Sequence, residues 1–332
     1  MMHYKSKIEP VFIFEAQNGL LVYGMNNGLV VNDFKYDVNP SLVLVNASMD
    51  TVLVKSESWE DYCIDIESKQ IEKLPFHLCL NGKIKDKLLI RDDNGVAVFG
   101  IKERQVNERL EEVLNFKYYF FYNEKIIFLD DETVSLYSDS IIIWSKKLGF
   151  GTIKKLLGIV NGRLWVTCYL KESFTKTYHT LLALDVKTGE IIFSRNDMPY
   201  FHSSACVLNE SNNTIISILR RFDQTFFLEL DALSGNIIRE QQLTELEEKG
   251  FVFGGANNLT LYKDKLYMVV TAVKTIFGKT LAILDLSDLS IPWISKVTEG
   301  KATISRDPEV TDTHLYVLDT ENTLHVFEKE NM

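Results

Sequence analysis

The feature that most constrains this chain is a short apolar strand, a tight polar turn and a second apolar strand, repeated from end to end. Residues 20–33 (LLVYGMNNGLVVND), 87–99 (KLLIRDDNGVAVF), 125–137 (KIIFLDDETVSLY) and 315–327 (LYVLDTENTLHVF) are four copies. Such hairpins begin near residues 20, 51, 87, 125, 163, 213, 264 and 315. The spacing, roughly 30–50 residues, is that of a repeat whose units cannot bury both faces alone and must stack. Hairpins at that period predict a radial array of small sheets.

Most hairpins have a further apolar stretch before them, as at 11–14, 42–45, 116–122, 156–160 and 259–262. Most have another after them, as at 71–74, 141–144, 191–193 and 237–238. Inner strand, hairpin and outer strand make a four-stranded blade. The expectation is an all-β chain folded as a single β-propeller domain over residues 1–332, with four-stranded antiparallel blades. Eight blades are favoured over seven, which would result if the first and last units merged. The first outer strand has to fit within residues 34–40. The last unit lacks a fourth strand after Glu328, so residues 3–8 are expected to supply it, closing the ring and covering a free sheet edge.

Two segments read differently. Residues 103–114 (ERQVNERLEEVL) place Val106, Leu110, Val113 and Leu114 at helical spacing, so a short helix competes there with, or follows, an outer strand. Thr244 and Glu247 read as a capping box, which predicts a helical turn before Phe251.

Composition narrows the function classes. The formal net charge is −10, with 46 Asp and Glu against 36 Lys and Arg. A general nucleic-acid binder needs a basic face to release counterions, so neither nucleic acid nor an anionic membrane is an expected partner. The apolar run at 11–14 is too short for a signal-peptide core, and no run approaches the roughly 20 residues of a membrane helix. Cys63, Cys79, Cys168 and Cys206 are widely spaced, with no CxxC pair, and suit a reducing compartment as small hydrophobes. A cytoplasmic protein, monomeric on its own, is the expectation.

Residues 183–193 (ALDVKTGEIIF) and 230–236 (LDALSGN) carry the one family signal. Asp185 and Asp231 can accept backbone N–H groups two residues on, and Gly189 and Gly235 can take the positive φ that closes the turn. These segments resemble the A-L-D-x-x-T-G-x-x-x-W repeat of quinoprotein-like (PQQ-like) propellers, a superfamily that shares its architecture with WD-repeat-like ones. The resemblance runs over residues 156–327 and is thin before them. It implies a propeller, not a function. A true quinoprotein would carry a Trp at the end of most repeats, a calcium site and often a vicinal Cys pair. This chain has Phe193 in the first Trp position and no vicinal Cys, so no quinone and no other cofactor is expected.

Catalytic patterns are missing at the level of spacing. His3, His77, His179, His202, His314 and His325 are scattered, without HxH or HxxxH pairs. There is no GxSxG elbow. Residues 278–280 (GKT) look like the tail of a P-loop, but Val273 sits where its first glycine belongs. No catalytic or metal residue is predicted from these patterns, although folding can bring distant side chains together in a propeller channel.

What stands out is extra length between the second and third strands of the later units, at 171–180, 219–224 and 271–279. Equivalent connections project from one face of a propeller. They would present Phe174, Lys176, Tyr178, Arg220, Arg221, Phe222, Lys274, Ile276 and Phe277 together, a basic and aromatic patch of the kind that anchors protein partners. The competing expectation is that these are extended hairpins packing on one another. The favoured function is a non-catalytic binding propeller for a protein partner, in its specific form an immunity-type protein that neutralises a toxin. The alternative is a hydrolase or lyase with its site at the central channel.

Overall fold

The computed structural model describes residues 2–17, 20–26, 28–46, 50–56, 60–79, 82–83, 87–101, 103–110, 116–139, 141–172, 177–196, 201–254, 259–273 and 278–330. Among the described residues the strands form eight antiparallel sheets of four-stranded design, and the fold is an eight-bladed β-propeller. Its contacts group into two compact units, 8–147 with 311–314, and 148–310 with 1–7 and 315–332.

The unit centred on 8–147 contains the first four sheets. In chain order their strands are Ile13–Gln17, Leu20–Met25, Gly28–Val31 and Phe34–Tyr36; then Pro40–Asn46, Thr51–Ser56, Asp61–Asp65 and Ile71–Lys73. The third has His77–Cys79, Lys87–Asp92, Gly95–Gly100 and Gln105–Arg109, and the fourth Tyr118–Tyr122, Lys125–Leu129, Thr133–Ser138 and Ile141–Lys147. Gly82–Lys83 adds a short parallel strand beside Tyr119 and Phe120. The second and third strands are apolar on both faces, and both faces are buried: Leu88, Leu89 and Ile90 have no exposed surface. The core lies between successive sheets. Val22 and Leu29 pack with Val52 and Ile64, and Leu53 and Cys63 with Leu88 and Ala97.

The other unit contains the remaining four. The fifth sheet runs Thr152–Val160, Arg163–Lys171, Thr177–Asp185 and Ile191–Arg195, and the sixth Cys206–Asn209, Thr214–Arg221, Gln224–Asp231 and Ile237–Gln242. In the seventh, Phe251–Phe253 and Leu259–Tyr262 both pair with Lys265–Ala272 and so share the first-strand position, followed by Thr280–Asp285 and Trp293–Lys296. The eighth is Glu309–Val310, His314–Leu318 and Leu324–Lys329, with Met2–Ile8 in its fourth place. That is the closure expected of the N-terminal segment. Trp165, Leu181 and Ala183 of the fifth sheet pack with Leu219 and Leu230 of the sixth, and Tyr267 and Leu281 of the seventh with Leu315 and Phe327 of the eighth.

Every predicted hairpin is the second-to-third-strand hairpin of its sheet. The first sheet does find its fourth strand within the expected stretch, at Phe34–Tyr36. Two local expectations need correction. Of the two readings at 103–114, the outer strand forms at Gln105–Arg109, pairing with Ala97–Gly100 across a bulge between Val98 and Phe99, so no helix replaces it; a helix following it would fall on residues 111–115, which lie outside the described residues. An open sheet edge satisfies its backbone groups, and this outweighs a weak helical period. A helical turn does form at Thr244–Glu248, but its N-cap is Leu243 and no side chain caps it. Glu247 is drawn elsewhere, accepting from Thr225 N–H at 2.8 Å and from Gln242 Nε2 at 2.7 Å. All four cysteines are free, and burial pushes the thiols of Cys168 and Cys206 up to about 12.

Candidate functional site

The Asp turns between third and fourth strands form as the sequence implies. Asp185 Oδ1 accepts from Lys187 and Thr188 N–H at 2.8 and 2.9 Å. Asp231 Oδ1 does the same with Leu233 and Ser234 N–H at 3.0 and 2.6 Å. These hydrogen bonds hold both carboxyls below the usual carboxylate range. Phe193, standing where the repeat has Trp, packs against Trp165 at 5.2 Å and against Gly235 of the following sheet. Trp165 Nε1 donates to Ala232 O of that same turn at 3.1 Å. The motif is a dock between neighbouring sheets.

The extra length of the later hairpins is strand as much as turn. The fifth and sixth sheets carry second and third strands of eight or nine residues. Phe174, Lys176, Lys274, Ile276 and Phe277 lie outside the described residues. Tyr178 sits on the third strand opposite Leu170 and is half-buried. Arg220 and Arg221 end a second strand, and Phe222 with Asp223 makes the two-residue turn, since Arg221 pairs directly with Gln224.

This turn is rigidly held. Arg220 Nε donates to Phe222 O at 3.0 Å, and its Nη1 reaches Phe253 O of the seventh sheet at 3.4 Å. Arg221 donates to Glu240 at 2.6 Å and lies over the Phe226 ring at 4.4 Å. Both guanidinium groups are thus engaged within the chain. Phe222 is 80% exposed at a φ of 57°.

A second feature was not visible in spacing. His179, on a third strand, and His202, on the connection to the sixth sheet, stack at 4.2 Å between ring centroids. His179 Nδ1 accepts from Ser203 N–H at 3.2 Å and lies 3.0 Å from Ser203 Oγ. His202 Nδ1 accepts from Ser204 N–H at 3.3 Å. Burial lowers His179, and burial, His179 and Lys154 together push His202 down to about 4, so both rings are neutral at pH 7. Thr167 Oγ1 donates to Ser203 O at 2.7 Å, and this tie holds the connection that carries His202 against the second strand.

Beside them opens a cavity of about 530 Å³. Lys154, Lys155, Ser204 and residues 305–309 are among its lining. Thr152 pairs with Tyr169, and Ala205 O accepts from Ile218 N–H, so the first three lie toward the hairpin ends of their sheets. Arg306 is ion-paired with Glu309, and Asp307 Oδ1 accepts from Leu259 N–H at 3.2 Å. Among the described residues there is no group of three or more His, Cys, Asp or Glu arranged to hold a metal.

The fold and these features define a β-propeller with a presented aromatic hairpin and a polar cavity at the first-strand edge. No family model matches the sequence, and no curated protein matches it. Among solved structures it is similar to BamB from Moraxella catarrhalis, at 12% identity and a TM-score of 0.56, over 99% of this chain and 100% of that one. It is also similar to the β-propeller domain of Cps50 (Swd1) from Myceliophteria thermophila, at 11% identity and a TM-score of 0.54, over 87% of this chain and 96% of that one. At such identities the likeness is one of fold.

Proposed function

We propose that this chain is a binding propeller that holds a protein partner on the hairpin ends of its fifth, sixth and seventh blades. The observation that carries this reading is Phe222. A bulky side chain at positive φ is strained by roughly 1 kcal/mol or more. Here the side chain is also largely exposed, on a turn held by Arg220. A rigid, exposed aromatic loses little entropy on binding and is the usual centre of an interface hot spot. The proposed contact set is Tyr178, Arg220, Arg221 and Phe222, joined by Phe174, Lys176, Lys274, Ile276 and Phe277. In the specific form of this reading the protein is cytoplasmic, of quinoprotein-like descent without the quinone, and neutralises a toxin.

Phe222→Ala removes the ring and leaves the arginine ties in place. Partner recovery from native lysate is expected to fall at least about tenfold, the loss that goes with a hot-spot residue, with thermal stability unchanged or slightly raised. Full recovery by the variant would remove the patch from consideration. The alternative, a hydrolase or lyase, is favoured by the convergence of His179, His202 and Ser203. Ser203 has no exposed surface, however, which leaves its hydroxyl no path to a substrate carbonyl.

A further inference from the structure

His179 and His202 present a pair of hydrogen-bond donors that the described chain does not use. A peptide N–H can only donate, so the bonds from Ser203 N–H to His179 Nδ1 and from Ser204 N–H to His202 Nδ1 require the lone pair on each Nδ1. Both rings are neutral at pH 7, so the one proton of each is carried by Nε2. Neither Nε2 hydrogen-bonds to a described residue, and neither is closed to solvent, in contrast to His325 Nδ1, which is buried and unmatched. The ring centroids are 4.2 Å apart, with 38° between the planes. Imidazole is rigid, and Nε2 lies across the ring from Nδ1. With both Nδ1 atoms anchored on neighbouring peptide groups, the two Nε2–H groups leave the pair side by side, away from that backbone. Tyr169 packs against His179 at 5.2 Å and helps to fix its ring.

Two adjacent N–H donors match the two oxygens of one carboxylate. A metal ion does not fit, because it needs the Nε2 lone pair that this tautomer lacks. The surroundings favour an anion over a neutral carbonyl. His179 and Lys154 are the titratable and charged groups that act on the His202 ring, and no carboxylate among the described residues acts on either ring. The pair also stands where its sheets turn. His179 is two residues into the strand Thr177–Asp185, which starts at the hairpin. The connection that carries His202 enters the sixth sheet beside Ile218, on the strand that runs on to Arg221 and the Phe222 turn. We propose that the His179–His202 pair is a carboxylate-binding site, and that it takes an acidic group of the protein partner held on the face that bears Phe222. The source of that carboxylate rests on the partner-binding reading above; the site itself does not.

The test is an NMR titration of the full chain, labelled with ¹⁵N-histidine, with sodium acetate at pH 7 and constant ionic strength set by sodium chloride. Each ring's signals are assigned from the variant that lacks it. Without acetate both rings are expected as the Nε2–H tautomer. Acetate is then expected to shift both Nε2 signals saturably, along one binding curve. His202→Asn reproduces the Nδ1 acceptor but does not reach the Nε2 position, and is expected to weaken acetate binding at least about tenfold, the loss of one charge-assisted hydrogen bond. His202→Gln places an N–H near the Nε2 position and is expected to retain most of the binding; unchanged signals from the other histidines report that both variants are folded. In native lysate His202→Asn should lose partner that His202→Gln recovers. An Nδ1–H tautomer in either ring, a linear response to acetate, or equal saturation by His202→Asn would overturn the site. Full partner recovery by a His202→Asn protein that no longer binds acetate would overturn the assignment of the carboxylate to the partner. Acetate binding needs no partner and no Phe222, so this site and the Phe222 face can fail separately.

Discussion

At the scale of the single residue, His202 is the most informative titratable group. In an unfolded chain its ring takes a proton near pH 6.5, whereas in the fold burial, His179 and Lys154 hold the midpoint down at about 4. The unfolded state therefore binds the proton more tightly. Acidification favours unfolding progressively from about pH 6.5 to about 4, and below that the penalty is constant. The full shift, discounted for the solvent that still reaches the ring, corresponds to about 1–2 kcal/mol. His202→Asn keeps an acceptor for Ser204 N–H but removes the titration. Denaturant midpoints measured from pH 7 to pH 4 should fall less steeply for the variant. Parallel slopes for the two proteins would show that His202 is not a source of acid sensitivity.

At the scale of the element, one turn recurs between third and fourth strands, and it explains what could be read from the sequence. Gly189 and Gly235 take its left-handed position at φ 71° and 73°, as the Asp-to-Gly spacing implies. The same turn closes after Asp65 and Asp285, but there Lys69 and Leu289 occupy the position at φ 59° and 61°. Asp65 N–H and Asp285 N–H bond to Gln70 O and Ser290 O just as Asp185 N–H bonds to Glu190 O. The repeat therefore extends into the first half of the chain, hidden because the glycine that marks it is gone. The hairpins were legible because apolar runs and polar turns are local. The histidine pair and the cavity were not, since the packing of a connection against a strand, not spacing along the chain, brings those side chains together. The turn also sets a graded test. Gly235→Ala puts a methyl group into the Phe193 ring at positive φ, and should cost about 2–4 kcal/mol from overpacking and backbone strain together. Lys69→Gly relieves the strain at an exposed site and should leave stability unchanged or raise it by up to about 1 kcal/mol. Urea midpoints measure both, and a Gly235→Ala protein as stable as the parent would mean the turn does not act as a dock.

At the scale of the whole molecule, the eighth sheet is completed from the far end of the chain. Met2–Ile8 lies beside Leu324–Lys329, in contacts that join residues as far apart as His3 and Glu330. Lys5 pairs with Glu328, and Tyr4 sets its edge against Phe327 at 5.4 Å. Ion pairs this exposed contribute little, so they do not hold the strand by themselves. Its weight lies in backbone hydrogen bonds, at roughly 0.5–1.5 kcal/mol apiece, and in what it hides. Without it the Leu324–Lys329 strand would present an unpaired edge, the usual template for association between chains. Removing residues 1–8 is therefore expected to lower the thermal midpoint by several degrees, a loss of a few kcal/mol, and to produce concentration-dependent self-association. A synthetic peptide of residues 1–9 should restore part of the midpoint and return the protein to a single species in sedimentation velocity. A truncated protein that melts with the full chain and stays a single species would show that the eighth blade stands on three strands, and that the first eight residues only decorate it.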